Sequence, residues 1–397
     1  MDKRQFLKTS FWGVGAACLF RPVSLAASAL PPRVGSKWTR EAQFYASTPR
    51  GVRCLLCPNE CDLKEGESGD CRNRVNRDGK LYSVAYGNPC AVHIDPVEKK
   101  PLLHFLPGSR ALSIATAGCN LACLNCQNWT ISQKSPDETR NYDLLPGPLV
   151  ETCLREQCES IAYTYSEPLT FYEYTYDSSV LARQKGIKNI LVTAGYINPE
   201  PLKKLCRVID AANVDLKSFS DDIYLRLNGG KLQPVLDTLL TMKKEGVWLE
   251  ITNLVVPSWT DDPDMIKRMC GWLLKNGFAD TPLHFSRFTP SYKLTQLPPT
   301  PVNILNEART IAKNEGLHYV YVGNVPGLDA DDTFCPSCRA KVVERQGYRI
   351  VDQHINIENV PFAAPLLPVF GNKCRSCYPH CVKRHISFFY HPAFHPG

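Results

Sequence analysis

The sequence predicts an α/β protein: a parallel sheet with covering helices over most of its length. Three observations carry that reading. From Ala111 to Asn324 short apolar runs alternate with helix-period stretches without a break, the rhythm of strands joined by crossover helices. The apolar runs at 111–117, 160–166, 189–195, 212–218, 247–256, 282–288 and 318–323 are mostly of strand length, and helical patterns fill 170–185, 199–209, 220–245, 262–276 and 301–315. Polar groups then recur at the carboxyl ends of the runs, where sheets of this kind place their chemistry.

Composition sets the outer bounds. A 397-residue chain with a hydrophobic share of 44% and a charged share of 21% is that of a folded globular protein. The net charge of +7 is spread along the sequence with no long basic run, so nucleic acid is not an expected partner. Eighteen cysteines are the anomaly. Cys153, Cys158, Cys206 and Cys270 fall in apolar stretches and read as inert buried thiols.

Residues 1–30 form a signal-like segment. Lys3-Arg4 stand at its head, an apolar stretch runs from Phe11 to Phe20, and Ala27-Ser28-Ala29 offers a small-residue cleavage site. The head is similar to a twin-arginine signal with Lys3 in the first arginine position, which points to export or membrane association. If the leader is not used the protein stays in the cytoplasm. The apolar part is too short for a transmembrane span.

Residues 46–108 read as a cysteine-rich N-terminal module and an approach to the sheet. Cys54, Cys57, Cys61 and Cys71 stand in eighteen residues with Pro58, Gly66 and Gly69 as turn formers, a compact set of four sulfurs. Zinc and a second iron–sulfur cluster both accept such a set, and two disulfides are the alternative after export. The run 81–86 alternates as a strand would. His93, His104 and Cys90 read as packing or surface residues.

The core, 109–325, opens with the first strand and the loop Cys119-Asn-Leu-Ala-Cys123-Leu-Asn-Cys126. Three thiolates this close together can grip three irons of one cuboidal cluster. A fourth local cysteine is missing, whereas electron-transfer clusters of this type take four thiolates, so one iron is left for a non-protein ligand. At later strand ends stand Tyr163-Thr-Tyr-Ser166-Glu167-Pro168, Thr193-Ala-Gly195, Asp215-Leu-Lys217 and His284-Phe-Ser-Arg287. Alternate residues on a strand share a face, which places Asp215 and Lys217 together at the mouth, and Arg287 reads as a cation aimed at it. The last region, 330–397, carries Cys335, Cys338, Cys374 and Cys377, a paired C-x2-C set of the zinc-ribbon kind, with Cys381 as a fifth thiol.

The C-x3-C-x2-C loop resembles the signature of radical S-adenosylmethionine (SAM) enzymes. Over Cys54 to Cys377 the chain is similar to the AmmeMemoRadiSam system branch, related to the pyruvate formate-lyase activating enzymes. The likeness is carried by the Cys54–Cys71 group, Asp95-Pro-Val-Glu-Lys-Lys-Pro101, Gly118 to Trp129, Thr164-Tyr-Ser-Glu-Pro168, Asp215-Leu-Lys217, Trp248 to Leu254 and Val320 to Asn324. It implies a partial (β/α)6 TIM-type barrel and a site-open 4Fe–4S cluster that cleaves SAM to a 5′-deoxyadenosyl radical. It also implies an electron donor such as flavodoxin or ferredoxin and, as in activating enzymes, a protein or peptide substrate. Ser166 and Glu167 fall where the superfamily has Gly-Gly-Glu-Pro; with Thr193, Asp215, Lys217 and Arg287 they are the expected SAM contacts. Val192 stands where the related enzymes carry an acid beside the threonine. Two other classes remain open on the residues alone, a multi-cluster electron carrier and a zinc-stabilised binding module.

Overall fold

The computed structural model describes residues 27–28, 36–325, 330–336 and 338–353. The leader apart from 27–28, and Cys374, Cys377 and Cys381, lie outside the described residues.

An eight-stranded sheet organises the chain. Its strands are β1 (Ala91–Pro96), β2 (Arg110–Ala115), β3 (Ser160–Tyr163), β4 (Lys188–Thr193), β5 (Ala211–Asp215), β6 (Trp248–Val255), β7 (Leu283–Arg287) and β8 (Val320–Gly323). They lie side by side in chain order, with β1 antiparallel to β2 and every later pair parallel. The crossovers are α1 (Pro146–Arg155), α2 (Tyr172–Gln184), α3 (Pro199–Cys206), α4 (Leu232–Lys244), α5 (Pro263–Lys275) and α6 (Val302–Glu315). Leu149 and Cys153 of α1, Leu202 and Leu205 of α3, Val235 and Leu239 of α4 and Met269 and Leu273 of α5 join the main apolar core. These positions recur at helical spacing, which is why the segments form amphipathic helices.

Each expected strand in the core is present, but the ladders stop short of the apolar runs. β2 ends at Ala115, β3 at Tyr163, β4 at Thr193 and β5 at Asp215. Of the residues left over, Ala117, Thr164, Ala194 and Leu216 stay buried beyond the strand ends, and Thr164 and Ala194 line the cavity there. Two elements escaped the sequence reading. β1 was expected as an approach outside the sheet; Pro96 closes it at a sheet edge, where a missing N–H costs little. In α1, Pro146-Gly-Pro148 reads as a breaker, yet Pro146 stands in the first turn, where its missing N–H is unneeded.

The chain that follows β1 forms a plug packed on the sheet. Val97, Leu102 and Phe105 pack on Ala111, Ala162, Ile190 and Ala211 of four neighbouring strands, and the small alanines leave room for them. Glu250 of β6 ties the plug down by accepting the backbone N–H groups of Leu103 at 3.0 Å and His104 at 2.8 Å. A C-terminal antiparallel sheet, β9 (Thr333–Phe334), β10 (Lys341–Gln346) and β11 (Arg349–Gln353), docks on the same plug. There buried Arg345 donates to the Leu103 carbonyl at 2.6 Å.

The N-terminal module consists of two small antiparallel sheets. One holds Arg40–Glu41, Arg74–Arg77 and Lys80–Ser83; the other holds Tyr45–Thr48, Gly51–Cys54 and Asp62–Leu63. The strand read at 81–86 is therefore Lys80–Ser83, paired as a hairpin with Arg74–Arg77.

Candidate functional site

The loop after β2 carries Cys119, Cys123 and Cys126 into a cavity of about 1070 Å³ at the carboxyl ends of the strands. Its course is fixed from both sides. Ala122 and Leu124 donate their N–H groups to the carbonyls of Asn228 and Leu227, each at 2.9 Å, and Leu124 accepts from the Lys293 N–H at 3.0 Å. Asn228 ends a π-helical turn, Tyr224–Asn228, and Gly230 follows. A Cβ at Gly230 would lie 2.7 Å from the tip of the Leu121 side chain, so glycine lets the two loops meet with that leucine where it stands. Asn228 also donates its side-chain amide to the Cys123 sulfur at 3.3 Å. The sequence reading missed this residue, although the Gly-Gly pair beside it marks a close approach.

The three thiols stand in unequal fields. Burial pushes the Cys119 thiol well above its ordinary value, and the carboxylate of Glu167 adds to the shift. Burial also raises Cys123, but Lys217 and Asn228 work against it. Among the described residues no three His, Cys, Asp or Glu side chains are placed to hold one metal ion. Three sulfurs lining one cavity without meeting at a point suit a cluster, in which each binds its own iron.

Around the thiols the strand ends form a network. Glu167 is buried; one carboxylate oxygen accepts the Thr193 hydroxyl at 2.6 Å and the other the Ala194 N–H at 2.8 Å. The Ser166 hydroxyl donates to the Thr116 carbonyl at 2.7 Å. Tyr165, at the first glycine position of the related motif, adopts a glycine-like φ of 63°. Its hydroxyl reaches down to buried Asp95, which also accepts Lys100 at 2.5 Å and Lys99 at 2.9 Å. That anchor holds a conformation a tyrosine adopts at a cost. Asp95-Pro-Val-Glu-Lys-Lys is thus a brace for the mouth.

Asp215 and Lys217 both line the cavity and pair at 2.7 Å, so theirs is no ordinary surface ion pair. Burial opposes the Lys217 charge, but Asp215 and Cys123 hold the ammonium above its usual range. The expectation for Arg287 is corrected. His284 and Ser286 line the cavity, and strand alternation turns Arg287 to the other face, where its Nε donates to the Thr300 carbonyl at 2.8 Å.

Two acids beside His284 were not foreseen. His284 and buried Glu250 meet at 2.7 Å, and Asp331 lines the cavity together with His284. Burial pushes the Asp331 carboxyl from 3.8 up to about 6. Its folded-state value lies above its unfolded one, so the native state binds the extra proton between those values and loses stability as pH rises through that window. Asp331→Asn is therefore expected to flatten the fall in melting temperature between pH 4 and pH 6, measured against wild type in the same buffers. Equal slopes for the two proteins would remove Asp331 from this role.

Residues 113–270 match the Radical SAM superfamily. The uncharacterized protein MJ0808 of Methanocaldococcus jannaschii is 47% identical over 320 residues, covering 80% of this chain and 95% of that protein. The chain belongs to the MJ0808 family and carries a radical SAM domain. The pyruvate formate-lyase 1-activating enzyme of Escherichia coli K12 is 26% identical over 167 residues, which is 41% of this chain and 68% of that enzyme. Among solved structures, a domain of the activating enzyme from Bacteroides vulgatus aligns at a TM-score of 0.35 and 17% identity, covering 42% of this chain and 99% of that one. A radical SAM methyltransferase from Sphaerobacter thermophilus aligns at 0.44 and 15%, covering 57% and 70%.

Both outer cysteine groups fall outside the matched segment of the radical SAM domain. Cys54, Cys57, Cys61 and Cys71 are free thiols that surround a small cavity of about 20 Å³, together with Arg74 and Asn120. The disulfide alternative is absent from the structure. Of the C-terminal set, Cys335 is buried and Cys338 exposed, in a tight turn closed by the Arg339 N–H on the Cys335 carbonyl at 2.9 Å. Their partners Cys374 and Cys377 lie outside the described residues. Across those residues no helix is long and apolar enough to cross a membrane.

Proposed function

We propose that this chain is a radical SAM enzyme acting on a protein or peptide, with Cys119, Cys123 and Cys126 as the ligands of a site-open 4Fe–4S cluster. The observation that carries it is one loop bringing three thiols into a cavity walled by strand-end polar groups. The cluster, when bound, supplies the electron that cleaves SAM and frees a 5′-deoxyadenosyl radical. The chain's own residues bind and orient. Lys217 offers an ammonium for the carboxylate of SAM, and its bond to Asp215 aims it; a carboxylate in a partly dry site needs such a donor. Glu167 and Thr193 hold each other, which fixes the turn after β3 against that after β4. They and Ser166 set the shape of the pocket that receives the cofactor.

The activating enzymes among the relatives are named for a protein they activate, pyruvate formate-lyase, and a protein substrate with a flavodoxin- or ferredoxin-type electron donor is proposed here. A mouth of this volume, open past Asn128, Asn324 and Tyr348, accommodates a loop of a folded partner. The motifs shared with the AmmeMemoRadiSam branch support placement there. That placement names no substrate.

Anaerobic reconstitution with iron and sulfide, reduction with dithionite and assay for 5′-deoxyadenosine is the test. An iron-loaded protein that leaves SAM intact would favour an electron carrier, and a colourless zinc protein a binding module. Within this reading, Lys217→Met is expected to weaken SAM binding by about 2 kcal/mol, as for loss of a charge-assisted contact. The readout is a SAM titration of the reduced cluster's paramagnetic resonance spectrum. An unchanged dissociation constant would show that this lysine serves only Asp215.

A further inference from the structure

Arg74 is the most deeply buried cation among the described residues that lacks a full set of partners. Its Nη2 donates to Glu173 at 2.7 Å and to the Gln43 carbonyl at 2.8 Å. Its Nε and Nη1 have no partner, although the side chain is 1% exposed. Those two donors are expensive to leave unmade. The residue lines the small cavity whose other walls include Cys54, Cys57, Cys61 and Cys71.

Burial raises the thiols of Cys57, Cys61 and Cys71, and neighbouring amides work against it: the Asn59 N–H and the Asn120 side chain at Cys57, the Asp70 N–H at Cys61 and the Asn73 N–H at Cys71. Arg74 stands within electrostatic reach of Cys54 and Cys71. Hydrogen bonds to the sulfurs and nearby charge are the levers by which proteins tune iron–sulfur centres. A zinc site would draw its four sulfurs toward one point, and no such convergence exists here among the described residues. In that respect these thiols are arranged like the three of the central loop.

We propose that Cys54, Cys57, Cys61 and Cys71 bind a second, fully ligated 4Fe–4S cluster whose negative charge is balanced by Arg74. With four thiolates the oxidised centre is a net dianion, and Arg74, with two unpartnered nitrogens, is a cation on the wall of its cavity. The centre is also tied to the central loop. Asn59 donates to the Asn120 carbonyl at 3.1 Å, Asn120 is the neighbour of Cys119, and Asn73 donates to the Ala117 carbonyl at 2.7 Å. A Cβ at Gly118, whose φ is 95°, would collide with the Cys71 carbonyl, so the two ligand loops touch backbone to backbone.

The test does not depend on SAM chemistry. In a Cys119→Ala, Cys123→Ala, Cys126→Ala triple variant, about four irons and four sulfides per chain are expected to remain. Dithionite, as the one-electron reductant, should give a paramagnetic signal that SAM does not alter. Zinc at this site, or a soluble variant free of iron, would overturn the proposal whether or not the wild type cleaves SAM. As a check independent of that variant's folding, Cys61→Ser in the full chain should lose about four irons relative to wild type while keeping the SAM-responsive signal; an unchanged iron count would also overturn it. Arg74→Gln should keep the iron and lower the midpoint potential of the SAM-insensitive signal, because a cation that favours the reduced form is gone. An unchanged potential would remove Arg74 from the centre.

Discussion

Replacing Cys119, Cys123 or Cys126 with alanine is expected to reduce 5′-deoxyadenosine formation to the level of a control without enzyme. Each thiolate has its own iron to hold, and the side chains that meet Cys123 and Cys126, Asn228 and Ser132, do so through an amide and a hydroxyl. Neither replaces a thiolate. The backbone bonds from Ala122 and Leu124 to the π-helical turn do not involve the side chains exchanged, so each variant should fold and melt close to wild type. That separates loss of the cluster from loss of the fold. The measurement pairs product formation with a melting curve, and turnover above background in any one well-folded variant would count against the assignment.

Much of the fold was legible because its signals are local. Runs such as Asn189 to Gly195 and Ala212 to Ser218 announce strands by apolar content and length, and the three-cysteine spacing announces its own chemistry. What was not legible depends on distance in sequence. Arg287 sits at a strand end like Asp215 and Lys217, and only the parity fixed by His284 and Ser286 shows that it faces away. Glu250 reads as an unremarkable charge in an apolar strand until the plug at Leu103 and His104 is brought to it. Asn228 and Arg74 carry no motif, and Asn120, though inside the three-cysteine loop, is like them defined by the segment it meets across the fold. Lys217, by contrast, stands beside Asp215 as the two-residue spacing suggests, although the β5 ladder has already ended at Asp215.

Arg74→Met is expected to lower the melting temperature by roughly 10 °C, the scale set by about 3–5 kcal/mol for breaking one side of a buried ion pair. Arg74 and Glu173 are each 1% exposed and meet at 2.7 Å. Removing the guanidinium leaves the Glu173 carboxylate in an apolar interior with the Gln43 N–H, at 2.8 Å, as its remaining donor. The cost is that of an uncompensated charge, which the pair's own net contribution does not measure. Replacing both residues tests this directly: Arg74→Met with Glu173→Leu takes away the stranded charge as well, and such exchanges are often close to neutral. More than half of the lost melting temperature should return in the double variant, whereas strictly additive losses would mean that the two residues are not energetically coupled. The same proteins separate the two jobs of Arg74. A lowered midpoint potential of the SAM-insensitive signal in the double variant, with stability restored, would show that the guanidinium serves the centre beyond neutralising Glu173. An unchanged potential would confine Arg74 to the ion pair.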